Sequence, residues 1–181
     1  GGKTMIASRI PGIFPEMTWK ESMEVSRIYS AAGLLSEENP IMQERPFRSP
    51  HHTVSPQSMA GGGRYPKPGE ITLAHRGILF LDELPEFSRR TLEILRQPLE
   101  EHRICISRSA AVCVFPADFL LTAAMNPCPC GYYPDRNRCS CSEQEVHKYL
   151  GKISGPLLDR VDLCTEVQDV PLERLLKKER G

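Results

Sequence analysis

Gly77-Ile78-Leu79-Phe80-Leu81-Asp82-Glu83-Leu84-Pro85 is the stretch that decides the fold. Four apolar residues in a row end in two adjacent carboxylates. A continuous apolar run of this length predicts a strand buried on both faces, the kind found in parallel sheets. Open α/β sheets bind ligands beyond the carboxyl ends of their strands, and Asp82 and Glu83 fall there. The plainer alternative is a strand that merely finishes in a charged turn. The rest of the chain decides between the two.

The sequence opens Gly1-Gly2-Lys3-Thr4. Gly2, Lys3 and Thr4 fit the last three places of the phosphate-binding loop G-x-x-x-x-G-K-[ST]. In that motif Lys3 reaches the β- and γ-phosphates, and the Thr4 hydroxyl ligates Mg²⁺. Backbone N–H groups of the loop and of the following helix start cradle the anion. Three residues are a weak signal alone. Joined to the paired acids they become the Walker A and Walker B elements of a nucleoside triphosphatase. Asp82 then holds Mg²⁺, directly or through water, and Glu83 orients and polarises the attacking water. The motif's first glycine and the strand that feeds it fall upstream of residue 1, so the chain reads as a fragment cut inside the loop.

With 181 residues the chain is long enough for one domain with a proper core. Lys+Arg and Asp+Glu both number 23, so a global basic field is absent and any nucleic-acid contact has to come from a local patch. No run approaches the ~18 apolar residues of a membrane span, so no membrane partner is expected. Four of the seven cysteines fall within residues 128–141. That clustering points to metal ligation in a reducing compartment, the cytoplasm, more than to a disulfide framework.

Residues 5–10 continue a short helix that Pro11-Gly12 stops. Thr18-Trp19-Lys20-Glu21 is a capping box, followed by Val25, Ile28, Tyr29 and Ala32 on one helical face and Gly33 as a C-terminal cap. This predicts a packing helix without chemistry. Residues 36–70, rich in Pro, Gly and Ser, read as a long loop. Within it His51 and His52, adjacent in an extended segment, should point apart, which argues against a shared metal. Gly61–Gly63 with Arg64 and Tyr65 has the composition of a loop that touches or stacks on nucleic acid, and equally of an ordinary solvent loop.

Beyond the acids, Ser88 caps a helix with Leu92, Leu95 and Leu99 on one face, which Pro98 should kink or end. Arg103 to Arg108 alternates, as do Val112 and Val114, giving a β-hairpin that turns at Ser109-Ala110-Ala111. Phe119 to Met125 predicts a second buried strand, ending at Asn126. Beside the Asp82 strand, an amide there faces the γ-phosphate and helps place the water; a turn-forming Asn before Pro127 is the alternative. Cys128, Cys130, Cys139 and Cys141 suit one tetrahedral Zn²⁺, with free thiols or a redox-labile pair as the alternatives. Ser142 to Glu145 is a second capping box, opening a helix that runs toward Gly151. Arg160 follows a short helix and precedes an expected strand, Leu163 to Val167. It reads as an arginine finger or as a surface partner of Asp159. Leu172 to Lys178 begins a last helix.

Together these stretches resemble the AAA+ ATPases, in the magnesium-chelatase-like branch and closest to its ComM/YifB type. The most specific are Arg45 to Thr53, Pro68 to Ile71, Leu81 to Phe87, Leu95 to Glu100, Ala123 to Gly131 and Ser154 to Asp162. The resemblance implies an α/β P-loop NTPase fold, three-layer αβα with a parallel central sheet. The AAA+ core would span residues 1–170, and 171–181 would start the C-terminal lid. Gly2, Lys3 and Thr4 would be Walker A and Asp82 and Glu83 Walker B. Asn126 would be sensor 1, and Arg160 the finger acting on a neighbour's ATP. ATP and Mg are the implied cofactors. Residues 55–68 look like the branch's helix-2 insert and 103–115 like its pre-sensor-1 hairpin, elements that face the pore in related ring motors. ComM-type proteins are viewed as hexameric, DNA-translocating, branch-migrating helicases, so DNA and further copies of the chain are the implied partners. A chelatase-like motor that remodels a protein partner is a second reading. A degenerate P-loop scaffold with a zinc knuckle is a third. Without the upstream strand and the lid, these 181 residues alone are expected to hydrolyse ATP weakly or not at all.

Overall fold

The computed structural model describes residues 2–63, 66–108 and 111–167. The expectations for Gly1, Arg64-Tyr65, the hairpin turn at Ser109-Ala110 and the helix Leu172 to Lys178 lie outside the described residues.

The chain begins with α1 (Lys3–Ala7) and a 3₁₀ turn, Ile10–Ile13. Pro11 and Gly12 lie inside that turn; α1 has ended before them. The next helix, α2 (Trp19–Ala32), starts and stops where local chemistry dictates. Thr18 and Glu21 make both bonds of the capping box, and Gly33 ends the helix in the left-handed region, φ 73°. Val25, Ile28 and Tyr29 are buried against Leu73.

Residues 36–70 carry more structure than their composition predicts. They hold β1 (Phe47–Arg48), α3 (Pro56–Ala60) and a two-stranded antiparallel ribbon, β2 (Gly61–Gly62) with β3 (Lys67–Pro68). The ribbon depends on glycine: a Cβ on Gly61 would lie 2.4 Å from the Lys67 carbonyl oxygen, and φ there is +95°. Then come α4 (Glu70–Leu73) and β4 (Ile78–Leu81), the apolar run.

β4 is buried along its whole length and is the middle of a parallel sheet ordered β1–β4–β7, β7 being Leu120–Ala123. Phe47 pairs with Ile78, and Leu81 pairs with Ala123. At its entry Gly77 packs so close to Pro46 that a Cβ would sit 2.0 Å from the Pro46 carbonyl oxygen. Alternate side chains of β4 feed two layers. Phe80 meets Ala7 of α1, with Ala124 and Phe47 beside it. Leu79 and Leu81 join Leu92, Leu95, Ile104 and Leu157 on the other face. Each such burial is worth about 1.5–3 kcal/mol, so the polar end of β4 sits on a rigid base.

After β4, a 3₁₀ turn leads into α5 (Arg89–Glu93), capped by Ser88, and then α6 (Arg96–Glu101). The helix breaks at Ile94-Leu95, as the expected kink at Pro98 requires. Proline lacks an N–H and its ring clashes with the carbonyl four residues back, so the break falls at residue 94 and Pro98 sits in the first turn of α6. β5 (Arg103–Arg108) and β6 (Ala111–Pro116) form the expected hairpin, with Ile104 and Ile106 buried and Val112 and Val114 exposed. Helices α7 (Glu143–Leu150) and α8 (Gly155–Leu158) follow β7.

Two expectations about strands fail. β7 is half-exposed, with Leu120 at 44%, because β4 is its only sheet neighbour among the described residues. Leu163 to Val167 makes no strand: it finds no pairing partner there, and Leu163 is 82% exposed. No helix of the described residues is long and apolar enough to cross a membrane.

Candidate functional site

The parallel register of β4 and β7 brings Asp82-Glu83 and Ala124-Met125-Asn126 out of the sheet side by side. Leu84 N–H donates to the Ala124 carbonyl at 3.0 Å and ties the two turns together. Into this end comes the start of α1. The Lys3 ammonium donates to the Met125 carbonyl at 2.7 Å and to Asn126 Oδ1 at 2.6 Å. Thr4 Oγ1 donates to Asp82 Oδ2 at 2.5 Å. Four residues that the sequence separates by up to 123 positions thus form one polar cluster. Gly2 stands just before α1 as its N-cap. The first N–H groups of any helix lack intrahelical partners, and here they face the same end of the sheet.

Asp82 is occupied on both oxygens, since Oδ1 accepts the Glu83 N–H at 2.9 Å. Glu83 itself has φ 53°, an uncommon conformation for a residue with a side chain. That turn swings its carboxylate off the line of β4 and toward His52, whose Nδ1 lies 3.4 Å from Glu83 Oε2. His51 and His52 do not point apart. The chain turns at residues 51–53, Val54 N–H bonding back to the His51 carbonyl, and the two rings lie 4.0 Å apart. The histidines, Ser49, Pro50, Asp82 and Glu83 line a cleft of about 210 Å³.

This constellation suits a Mg·nucleotide. Thr4 Oγ1 and Asp82 Oδ2 converge as hard oxygen donors, the kind Mg²⁺ takes in ones and twos beside phosphate and water. The Lys3 ammonium is a cation that could face a phosphate, and Glu83 is a carboxylate that could act on water.

Arg160 belongs elsewhere. It lies just past α8 and pairs with Glu100 of α6 and with the Pro156 carbonyl. It makes no hydrogen bond or ion pair to Lys3, Thr4, Asp82, Glu83 or Asn126 within its own chain, and its partner is Glu100 in place of Asp159.

The four cysteines gather directly after Asn126. Their sulfurs all lie within 4.8 Å of one another, and none of the seven cysteines is in a disulfide. Tyr132 N–H aims at Cys130 and holds its thiol down to about 6. Tyr149 of α7 is buried, which pushes its phenol up, and the Asn126 main chain facing its hydroxyl opposes that shift.

Sequence reasoning missed two partners. His52 was set aside although it faces Glu83. Arg48 and Glu70, in two separately recognised stretches, form one bidentate pair at 2.7 and 2.9 Å that locks β1 to α4. A charged residue on a two-residue strand beside a buried one was the only local signal for Arg48.

The chain is similar to known proteins over most of its length. The family described as magnesium chelatase, subunit ChlI, matches residues 1–175. The chain is 51% identical over 166 residues to YifB of Escherichia coli K12, covering 92% of this chain and 32% of that protein. It is 51% identical over 171 residues to the competence protein ComM of Haemophilus influenzae, covering 94% of this chain and 33% of ComM. The chain therefore spans about a third of the length of the curated relatives it matches. A crystal structure of NtrX from Brucella abortus in complex with ADP overlaps loosely, with a TM-score of 0.43 and 20% identity over 64% of this chain and 23% of that chain. With the Lys3, Thr4, Asp82 and Asn126 cluster at the carboxyl ends of a parallel sheet, the chain belongs to the magnesium chelatase ChlI family of AAA+ proteins, in its ComM/YifB branch.

Proposed function

We propose that a full-length protein carrying this chain is an ATP-driven ring motor that acts on DNA. The observation that carries the ATPase half is the cluster of Lys3 and Thr4 with Asp82 and Asn126. In the proposed reaction Lys3 turns from Met125 and Asn126 to the β- and γ-phosphates. Thr4 and Asp82 would hold Mg²⁺, which would supply positive charge against the phosphates. Glu83, oriented by His52, polarises the attacking water, while the Asn126 amide fixes that water against the γ-phosphate. Arg160, placed away from its own chain's cluster, serves the nucleotide of the next subunit in a ring, with six copies as the expected number.

DNA as the substrate rests on two features. The β5–β6 hairpin presents Val112 and Val114 at 66% and 57% exposure, and the insert around β2 and β3 lines a polar cleft with Lys67. Similarity to a competence protein points the same way. The test is steady-state ATP hydrolysis by the full-length protein with and without forked DNA, across a salt series. Stimulation that fades as salt rises supports the DNA reading. ATP hydrolysis that ignores every DNA, but rises with a co-purifying protein, favours a chelatase-like remodeller of protein.

A further inference from the structure

We propose that Cys128, Cys130, Cys139 and Cys141 bind one Zn²⁺ as a tetrahedral thiolate centre, and that this centre holds Asn126 in its working position. The first half stands on geometry alone. A tetrahedron with metal–sulfur bonds of ~2.3 Å has sulfur–sulfur edges of ~3.8 Å. Three of the edges here are 3.3 Å (Cys128 to Cys130), 3.8 Å (Cys128 to Cys139) and 3.5 Å (Cys130 to Cys139). These are far from a bonded ~2.05 Å pair and near the spacing one ion requires.

The main chain is arranged for thiolates as well. Tyr133 N–H donates to Cys128 at 3.4 Å, and the N–H groups of Tyr132 and Ser140 aim at Cys130. Donors pointing at sulfur are what a thiolate-bound metal uses to spread its charge. Gly131 permits the tight turn inside the first pair with φ +84°. An all-sulfur tetrahedral set suits Zn²⁺, with iron as the competing ion that the metal analysis distinguishes. On binding, the thiols still protonated release their protons to solvent.

The second half follows from where the cluster sits in the chain. One cysteine pair begins two residues after Asn126. The other ends immediately before Ser142, the N-cap of α7. From α7, the buried Tyr149 reaches back so that its hydroxyl faces the Asn126 main chain. The loop from β7 to α7 thus leaves Asn126 and returns to it, and the metal ties its two ends. Without that tie, Asn126 is held by Lys3 alone among charged groups, and Lys3 is the residue a nucleotide would take away.

The experiment uses the full-length protein, purified without chelator, with metal content and thiol reactivity measured together. We expect one zinc per chain, released in step with modification of four thiols by an organomercurial. Cys105→Ser and Cys164→Ser, both exposed and outside the cluster, should keep the zinc. The double variant Cys139→Ser/Cys141→Ser should lose it. The effect on turnover rests on the ATPase reading of Asn126. There the double variant should fall about 10- to 100-fold in kcat, while its Kd for a non-hydrolysable Mg·ATP analogue stays within about twofold. Folded wild-type protein without zinc and with four freely reacting thiols would overturn the site, as would stoichiometric iron with visible absorbance. Loss of zinc with wild-type kcat would overturn the clamp. The wild-type zinc count needs no variant, so the test survives if the double variant fails to fold. It is also independent of whether the wild type hydrolyses ATP.

Discussion

Replacing Lys3 by alanine probes the site from its amino-terminal side. The ammonium has two partners, the Met125 carbonyl at 2.7 Å and Asn126 Oδ1 at 2.6 Å. Both are neutral acceptors at a half-exposed position and can turn to water, so the nucleotide-free protein should lose only about 1 kcal/mol of stability. Nucleotide binding is the larger effect. A polyphosphate offers anionic oxygens to the same ammonium, and a charge-assisted bond of that kind is worth ~1.5–3 kcal/mol. At ~1.4 kcal/mol per decade, Lys3→Ala should raise the Kd for a non-hydrolysable Mg·ATP analogue about 10- to 150-fold. Lys3→Arg keeps the charge but replaces a compact ammonium with a planar fork, so it should recover only part of the loss. Calorimetric titration of the full-length protein measures this. A folded Lys3→Ala variant with a Kd within about twofold of wild type would show that Lys3 does not face the phosphates.

His52→Ala should lower kcat about 10-fold, short of the ~10² that a full 1 Å misplacement costs, and leave the Kd for the Mg·ATP analogue unchanged. His52→Asn should recover part of it; wild-type kcat in His52→Ala would remove this residue from the site. A third prediction concerns acid. Burial, and then the neighbouring Arg76, hold the His75 imidazole below its ordinary value, and its Nδ1 accepts the Asp118 N–H at 3.1 Å. The unfolded chain therefore takes up the proton first. The stability this group contributes is complete above about pH 6.5 and is lost as pH falls below it, at no more than ~1.4 kcal/mol per pH unit. Urea unfolding at pH 7.5 and 5.5 should show the drop, and His75→Gln, which keeps an acceptor but cannot titrate, should flatten it; an equal drop in the variant would clear His75.

What the sequence disclosed, it disclosed through short-range signals. The run Ile78–Leu81 could only be a doubly buried strand, and the boxes at Thr18 and Ser142 close within three residues, so both helix starts were legible. The β5–β6 hairpin was readable from alternation alone. What stayed hidden depends on partners far along the chain. Glu83 meets His52 31 positions earlier, and Arg160 meets Glu100 60 positions earlier; neither spacing has a periodicity that betrays it. The exposure of β7 is set by how many strands flank it, which apolar content does not encode. Leu163 to Val167 has the composition of a strand, but a strand also needs a neighbour's free edge. The interruption that Pro98 causes was legible too, since its ring clashes one turn upstream of itself.

Steady-state Mg·ATP hydrolysis by the full-length protein, wild type against Glu83→Gln, shows whether this cluster is the hydrolytic site. The amide keeps the size of the side chain and can still bond to His52, but it cannot act as the carboxylate that polarises water. Glu83 stands at the end of β4 with its carboxylate half-exposed and with the His52 imidazole 3.4 Å away, so little else should change. Loss of that role typically costs ~10²–10⁴ in rate. The expected result is a wild-type protein that hydrolyses ATP and a variant that binds the nucleotide as tightly but turns it over at least about 100-fold more slowly. Turnover by Glu83→Gln at the wild-type rate would contradict the assignment of this cluster as the hydrolytic site.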